Sequence, residues 1–144
     1  MTDLNLEGLT DAQLRLFAVR CARRVQHLMT DPRSVAVIDV AERHAKGEAT
    51  DDELSEARAA AWFAPRAAWF APGATVGVGW DAGWAAWYAA WAFTHTSRAA
   101  ADAAATAAWA ASAVWRVTAR SVADAAWDAE RAEQQKILDE VRNI

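Results

Sequence analysis

The stretch WDAGWAAWYAAW, residues 80–91, decides the fold of this chain. Its four tryptophans, Trp80, Trp84, Trp87 and Trp91, follow one another at steps of four, three and four residues. At about 3.6 residues per turn, this spacing places all four on one face of a helix. Alanine fills most of the positions between them. The stretch therefore predicts a helix that carries tryptophan on one face and alanine elsewhere.

The same bias in composition extends through the second half of the chain. Residues 1–56 contain seven alanines and residues 57–132 contain thirty-two, and the chain has nine tryptophans. Alanine is a strong helix former, and no period-two alternation suggests strands. We therefore expect an all-α, compact bundle of about five to six helices, in which indole rings fill the space between closely packed alanine helices. In the alternative interpretation some tryptophans face outward as anchors for a partner.

Upstream of this region, residues 10–64 predict three amphipathic helices. The first begins at Thr10 or Asp11 and ends near Met29, and the second spans Pro32–Lys46 with Gly47 as the residue that ends it. The third begins with a capping box at Thr50 and runs to about Ala64, where Pro65 ends or kinks it. Periodicity predicts these buried positions: Leu14, Phe17, Ala18, Cys21, Val25, Leu28, Val37, Ile38, Ala41 and Ala45. On the second helix it predicts the surface ion pairs Asp39/Arg43 and Glu42/Lys46.

Glycine and proline separate this part from the alanine-rich part. Residues 65–79 are expected to form a loop, because 71–79 hold the only Gly/Pro cluster. Beyond it we expect helices near 80–95, 97–118 and 121–142, broken at Thr94–Ser97 and Thr118–Ser121. The length of 144 residues fits a single domain over 1–144.

Charge and hydrophobicity exclude two classes of partner. The net charge is −4 and the predicted pI is near 5.3, so nucleic-acid binding is not expected. The longest run without a charged side chain, 82–97, is shorter than the ~20 residues of a membrane span. One cysteine and an acidic start without an apolar leader indicate a cytoplasmic location.

The sequence offers no catalytic set, cofactor motif or metal site. The three histidines, His27, His44 and His95, lack a ligand spacing, and no glycine loop carries the Lys-Ser/Thr of a phosphate site. His95 stands between two threonines, either as a buried, hydrogen-bonded side chain or as a general base without a visible partner. We expect a protein that is not an enzyme.

Several residues are candidates for contacting a partner. The first helix carries the most concentrated charge of the chain, and this charge is positive. It could bind a phosphate or an acidic partner, or it could form a solvated face paired with acidic neighbours. Three further tryptophans do not continue the helical spacing of the tryptophans in residues 80–91 and are candidates for exposure. The candidate partner-binding residues are Arg20, Arg23, Arg24, His27, His95, Arg98, Trp109, Trp115 and Trp127.

Three segments carry a resemblance: LRLFAVRCARRVQHLMTDPRS (14–34), AERHAKGEATDDEL (41–54) and ARAAAW (57–62). They resemble a family of uncharacterised bacterial and phage proteins with tails rich in alanine and tryptophan. More distantly, the chain is similar to the immunity-protein family of bacterial toxin systems, which has Arg-Pro-Arg after its first helix and a later Thr-x-His. This chain has Asp31-Pro-Arg-Ser34 and Thr94-His-Thr96 instead, and tryptophan where that family has alanine and several histidines. The resemblance implies a helical, non-enzymatic binding protein from a bacterial or phage conflict.

These observations predict a module that binds another protein, as an immunity-type or phage-encoded inhibitor of a toxin or host defence factor. The first alternative is a self-associating or virion-associated structural protein whose tryptophans form homo-oligomer contacts. The second is a small-ligand binder that uses a tryptophan-lined interior with His95 and Arg98.

Overall fold

Every regular element that the structure describes is helical. The computed structural model describes residues 4–66, 76–91, 102–109 and 120–144, as backbone alone for 76–80 and 120–123. Within these ranges there is no strand, and the expected all-helical bundle is confirmed. The helices are α1 (Asp11–Arg24), a 3₁₀ turn (Gln26–Leu28), α2 (Pro32–Ala45), α3 (Asp51–Ala61), α4 (Val76–Trp91), α5 (102–109) and α6 (Arg120–Arg142).

Short polar motifs fix the ends of the first helices. The Thr10 hydroxyl accepts the Gln13 N–H, and the Gln13 side chain accepts the Thr10 N–H in return, which satisfies two donors at the start of α1. α1 ends at Arg24, earlier than predicted, because the Val25 N–H bonds three residues back and tightens the chain into the 3₁₀ turn. At the far end of α2, Gly47 adopts a φ of 76°, which places it in the left-handed region as expected.

Proline decides where α3 ends. Thr50 caps its start by accepting the Glu53 N–H. The helix ends at Ala61, before the predicted Ala64, since the ring of Pro65 would clash with the carbonyl four residues earlier. Pro65 itself is buried in a second helical turn, 64–66.

The start of α4 corrects the expected loop over 65–79. Residues 64–66 and 76–79 are helical, and α4 begins at Val76 although it includes Gly77 and Gly79. A glycine costs a helix only about 1 kcal/mol relative to alanine, so packing elsewhere along α4 can outweigh that cost. The rest of the expected loop, 67–75, and the break at Thr94–Ser97 lie outside the described residues. The last helix, expected over 121–142, is confirmed as Arg120–Arg142.

α4 has two apolar stripes on nearly opposite sides. At about 100° per residue, its buried alanines cluster on one side and its aromatic rings on the other. The alanine side packs on α1 and α2 within the core. These alanines are Ala82, Ala85, Ala86, Ala89 and Ala90, and all are fully buried.

Among the described residues, the largest fully buried side chains belong to the other helices. Phe17 of α1, Ile38 of α2 and Leu138 of α6 are fully buried. The predicted buried stripes of α1 and α2 are confirmed except at Leu28, which is half-buried, and Ala45, which is exposed.

The expected contribution of tryptophan to the interior is confirmed only in part. Trp127 is buried, whereas Trp87 and Trp91 are half-buried and pack against the margin of the core. The alanines therefore form the contact between helices, and most of the described indole rings surround it.

Polar contacts hold α6 to the start and the middle of the chain. Gln134 is fully buried, and its side-chain amide donates to the carbonyl of Ala104 in α5 at 2.8 Å. Gln13 of α1 donates in the same way to the carbonyl of Val141 at 3.2 Å. In the part of the chain that the structure describes, no helix is long and apolar enough to cross a membrane.

Pro65 packs closely on α4 at Gly83, and this contact yields a test of the packing. A Cβ atom at Gly83 would lie 3.0 Å from Pro65 Cγ and 3.3 Å from the Pro65 backbone. We expect Gly83→Val to lower the free energy of unfolding by about 2 kcal/mol through overpacking, as measured by urea denaturation. Ala36→Val, at an exposed position of α2, is the control for β-branching in a helix and should cost about 0.5 kcal/mol. A Gly83→Val variant as stable as the parent would contradict this packing.

Candidate functional site

The aromatic side of α4 forms a continuous cluster with the end of α3. Trp84, Trp87, Tyr88 and Trp91 share that side, and Trp62 approaches it just after α3 ends. The ring centroids of Trp62 lie 5.0 Å from those of Trp84 and 5.1 Å from those of Trp87, in edge-to-face geometry. Trp87 and Trp91 stack at 5.0 Å with an angle of 16° between their planes. We call these five residues the tryptophan face.

Two arginines stack on this face. The guanidinium carbon of Arg58 lies 4.5 Å from the ring centroid of Trp91, and that of Arg66 lies 4.6 Å from the ring centroid of Trp62. Both distances are within the range of cation–π attraction. Burial lowers the pKa of Arg58 from its ordinary value, since the guanidinium is partly withdrawn from water. Arg66 is exposed.

Between α3 and α4 the tryptophan face borders an open groove of about 380 Å³. Its walls include Arg58, Trp62, Phe63, Trp87 and Trp91. Phe63 is 56 % exposed, although a phenylalanine is usually buried. The groove therefore combines a solvent-facing phenyl ring, half-buried indoles and a partly desolvated cation.

This set of side chains has the chemistry of a protein-binding surface. Tryptophan, tyrosine and arginine are the residues enriched among those that dominate binding energy, and they act best in partly desolvated settings. Among the described residues, no group of three or more His, Cys, Asp or Glu is placed to hold a metal ion. Among the described residues that line the groove, the polar side chains are the Ser55 hydroxyl and the Arg58 guanidinium, with no carboxylate or imidazole.

The basic residues predicted to contact a partner are mainly engaged within the fold. Arg23 lies 2.7 Å from a carboxylate oxygen of Asp39 and 3.1 Å from one of Glu42, which replaces the i, i+4 pairs that the sequence predicted for those acids. Arg20 lies 3.5 Å from Glu140. His27 is exposed at the 3₁₀ turn. The structure thus favours the second interpretation of this patch, in which it pairs with acidic neighbours.

Arg24 takes part in a network with buried side chains of α6. Its guanidinium donates to both carboxylate oxygens of Glu130, at 2.9 and 3.1 Å, and the Glu130 side chain is only 6 % exposed. The next residue of α6, Arg131, donates to the side chain of Gln134, which is buried about one helical turn further along, at 3.0 Å. Cys21 lies beneath this network, fully buried as predicted, and burial raises the pKa of its thiol. Arg24 therefore joins α1 to α6.

For the three candidate tryptophans outside residues 80–91, the prediction of exposure has different outcomes. Trp109 is 43 % exposed, in agreement with the prediction. The prediction that Trp127 is exposed is wrong, because Trp127 is 8 % exposed, with the ring of Trp109 edge-on at 4.9 Å and Arg131 over its face at 5.0 Å. Trp115, His95 and Arg98 lie outside the described residues.

The sequence analysis missed Arg58, Phe63 and Arg66 as parts of a site. Arg58 and Trp62 are four residues apart, a spacing that places them on one face of a helix. That spacing is visible in the sequence. The position of Phe63 and Arg66 beside Arg58 and Trp62, however, depends on the turn at Pro65.

No protein-family model, curated protein or solved structure matches this chain.

The pairing of Arg24 with Glu130 yields a stability test. We expect Arg24→Met to lower the free energy of unfolding by about 2 kcal/mol, since it leaves a buried carboxylate without its partner, whereas Arg24→Met combined with Glu130→Leu should regain most of that loss. Urea denaturation measures both. Arg20→Met is the matched control, because the Arg20–Glu140 pair is solvent-exposed and should contribute less than about 0.5 kcal/mol. Equal effects of Arg24→Met and Arg20→Met would argue against a structural role for Arg24.

Proposed function

We propose that this chain is a non-enzymatic protein-binding module, an immunity-type or phage-encoded inhibitor of a toxin or host defence factor, that docks its partner in the groove between α3 and α4. The observation that carries this proposal is the pairing of exposed Phe63 with half-buried indoles and stacked guanidinium groups. Three segments within residues 14–62 resemble uncharacterised bacterial and phage proteins and, more distantly, the immunity-protein family, and this resemblance supports the same class.

The partner's chemistry follows from the groove. Two adjacent helices with a shallow apolar channel between them suit a third helix laid along them, with anchors one turn apart. Arg66, exposed and stacked on Trp62, favours carboxylates next to those anchors, because a guanidinium stacked on a ring still has N–H edges that can donate. The partner segment is therefore an amphipathic helix with large apolar side chains flanked by aspartate or glutamate.

Binding at this site would inhibit by occlusion. A helix is about 10 Å wide with its side chains, so a domain that presents one would have that face covered by α3 and α4. The energy of such a contact comes from a few central side chains, so the groove need not be large to be specific.

Site-specific photo-crosslinking tests where the partner docks. A p-benzoylphenylalanine at position 63, in the groove, should crosslink one protein from bacteria that carry the cognate toxin or defence system, and excess unlabelled protein should compete. The same probe at position 36, exposed on α2, is the control and should not give this product. Equal products from both positions, or no product from position 63, would overturn docking in the groove.

Variants then test the chemistry with the purified partner. We expect Phe63→Ser and Arg58→Gln each to weaken binding at least about tenfold, measured by calorimetry. Arg43→Gln is the matched control, because Arg43 is exposed and pairs with Glu53 away from the groove, and its affinity should match the parent's. Affinities unchanged in all three variants would contradict the proposal.

Light scattering addresses the structural alternative. A protein that remains monomeric at high concentration agrees with binding to a separate partner. A concentration-dependent dimer that Phe63→Ser abolishes would instead assign the groove to self-association and replace the proposed function.

A further inference from the structure

The walls of the groove between α3 and α4 are mainly aromatic. Of the described residues that line it, four carry an aromatic ring: Trp62, Phe63, Trp87 and Trp91. The others contribute a hydroxyl, a guanidinium and a methyl group, and none of these described lining residues is a branched aliphatic side chain. An apolar group that enters the groove therefore meets rings on most sides.

The tryptophans of this cluster already contact one another edge to face. The planes of Trp62 and Trp87 are 61° apart at a centroid distance of 5.1 Å, and those of Trp62 and Trp84 are 77° apart at 5.0 Å. In this geometry the positive edge of one ring lies against the negative face of the next. Phe63 adds a ring that is 56 % exposed on the wall of the groove. Another ring that enters the groove can continue this pattern, whereas a saturated side chain lacks the polarity that it requires.

A cation beside the rings favours the same kind of ligand. The guanidinium carbon of Arg66 lies 4.6 Å from the ring centroid of Trp62, and Arg66 is exposed. A guanidinium is planar, so a second ring laid on Arg66 would gain a further cation–π contact. An aliphatic side chain in the same place would gain only the removal of its surface from water.

We propose that the groove selects an aromatic anchor, so that the partner's helix inserts a phenylalanine, tyrosine or tryptophan side chain between α3 and α4. The groove volume of about 380 Å³ lies near the lower end of the ~300–1,000 Å³ range of ligand pockets, which suits one or two inserted side chains. This inference rests on the proposed function, because it names the chemistry of the partner at the same site.

Two small probes separate the aromatic character of a ring from its size. N-acetyl-phenylalaninamide and N-acetyl-cyclohexylalaninamide have nearly the same shape, but only the first is aromatic. In NMR titrations of the full chain, we expect both to shift amide signals within 55–63 and 84–91, and the phenyl probe to bind about fivefold more tightly. Equal affinity for both probes, or tighter binding of the cyclohexyl probe, would overturn the proposal. So would shifts confined to other helices, or no shifts at millimolar phenyl probe.

Three variants locate the source of this preference. Phe63→Leu and Trp91→Leu each keep an apolar side chain and remove one ring, so each should reduce the preference for the phenyl probe to less than about twofold. Trp109→Leu is the matched control, since it removes an exposed indole that does not line the groove and should leave the preference unchanged. A fivefold preference that survives both Phe63→Leu and Trp91→Leu would show that the rings of the groove do not recognise the probe.

The probes and the crosslinking experiment can fail separately. A partner that crosslinks from position 63, although the two probes bind equally, would leave docking in the groove in place and refute the aromatic anchor. A clear preference for the phenyl probe without any crosslinked partner would refute the proposed function and still support a groove that selects rings.

Discussion

The fold depends on the close approach of α4 to α1 and α2, which alanine makes possible. Small side chains allow helix axes to lie near the short end of the ~8–10 Å range. The five buried alanines of α4 supply such a surface, and Gly83 extends it toward Pro65. A larger residue at one of these alanine positions would displace α4 from α1 and α2 at once. The bulk of the interior must then come from the partners, and Phe17 and Ile38 supply it.

This constraint explains why the tryptophans lie where they do. An indole cannot fit into an interface built for methyl groups, so the rings of α4 lie on its other side. There α3 covers them only in part, and Arg58 and Arg66 cover more of the aromatic surface with their side chains. The groove with Phe63 at its edge is what remains uncovered. The groove is thus a consequence of the same packing that builds the core.

Local signals made much of the helical layout predictable. Thr10, Asp31, Gly47 and Thr50 each act on neighbouring backbone groups, so the sequence alone indicates where those helices start or end. For α4 the periodicity revealed a tryptophan side and an alanine side, but both are apolar. Which side faces inward depends on the shape of α1 and α2, and no local pattern contains that information.

Long-range contacts account for the remaining differences between the predictions from the sequence and the structure. Arg24 and Glu130 are 106 residues apart, so the charge patch on α1 appeared available for a partner although the fold uses it internally. Trp109 and Trp127 have similar sequence surroundings, yet the contact of α5 with α6 buries one and leaves the other exposed. Pro65 was predicted to end or kink α3, but the sequence did not show that the helix ends as early as Ala61 and leaves Phe63 exposed.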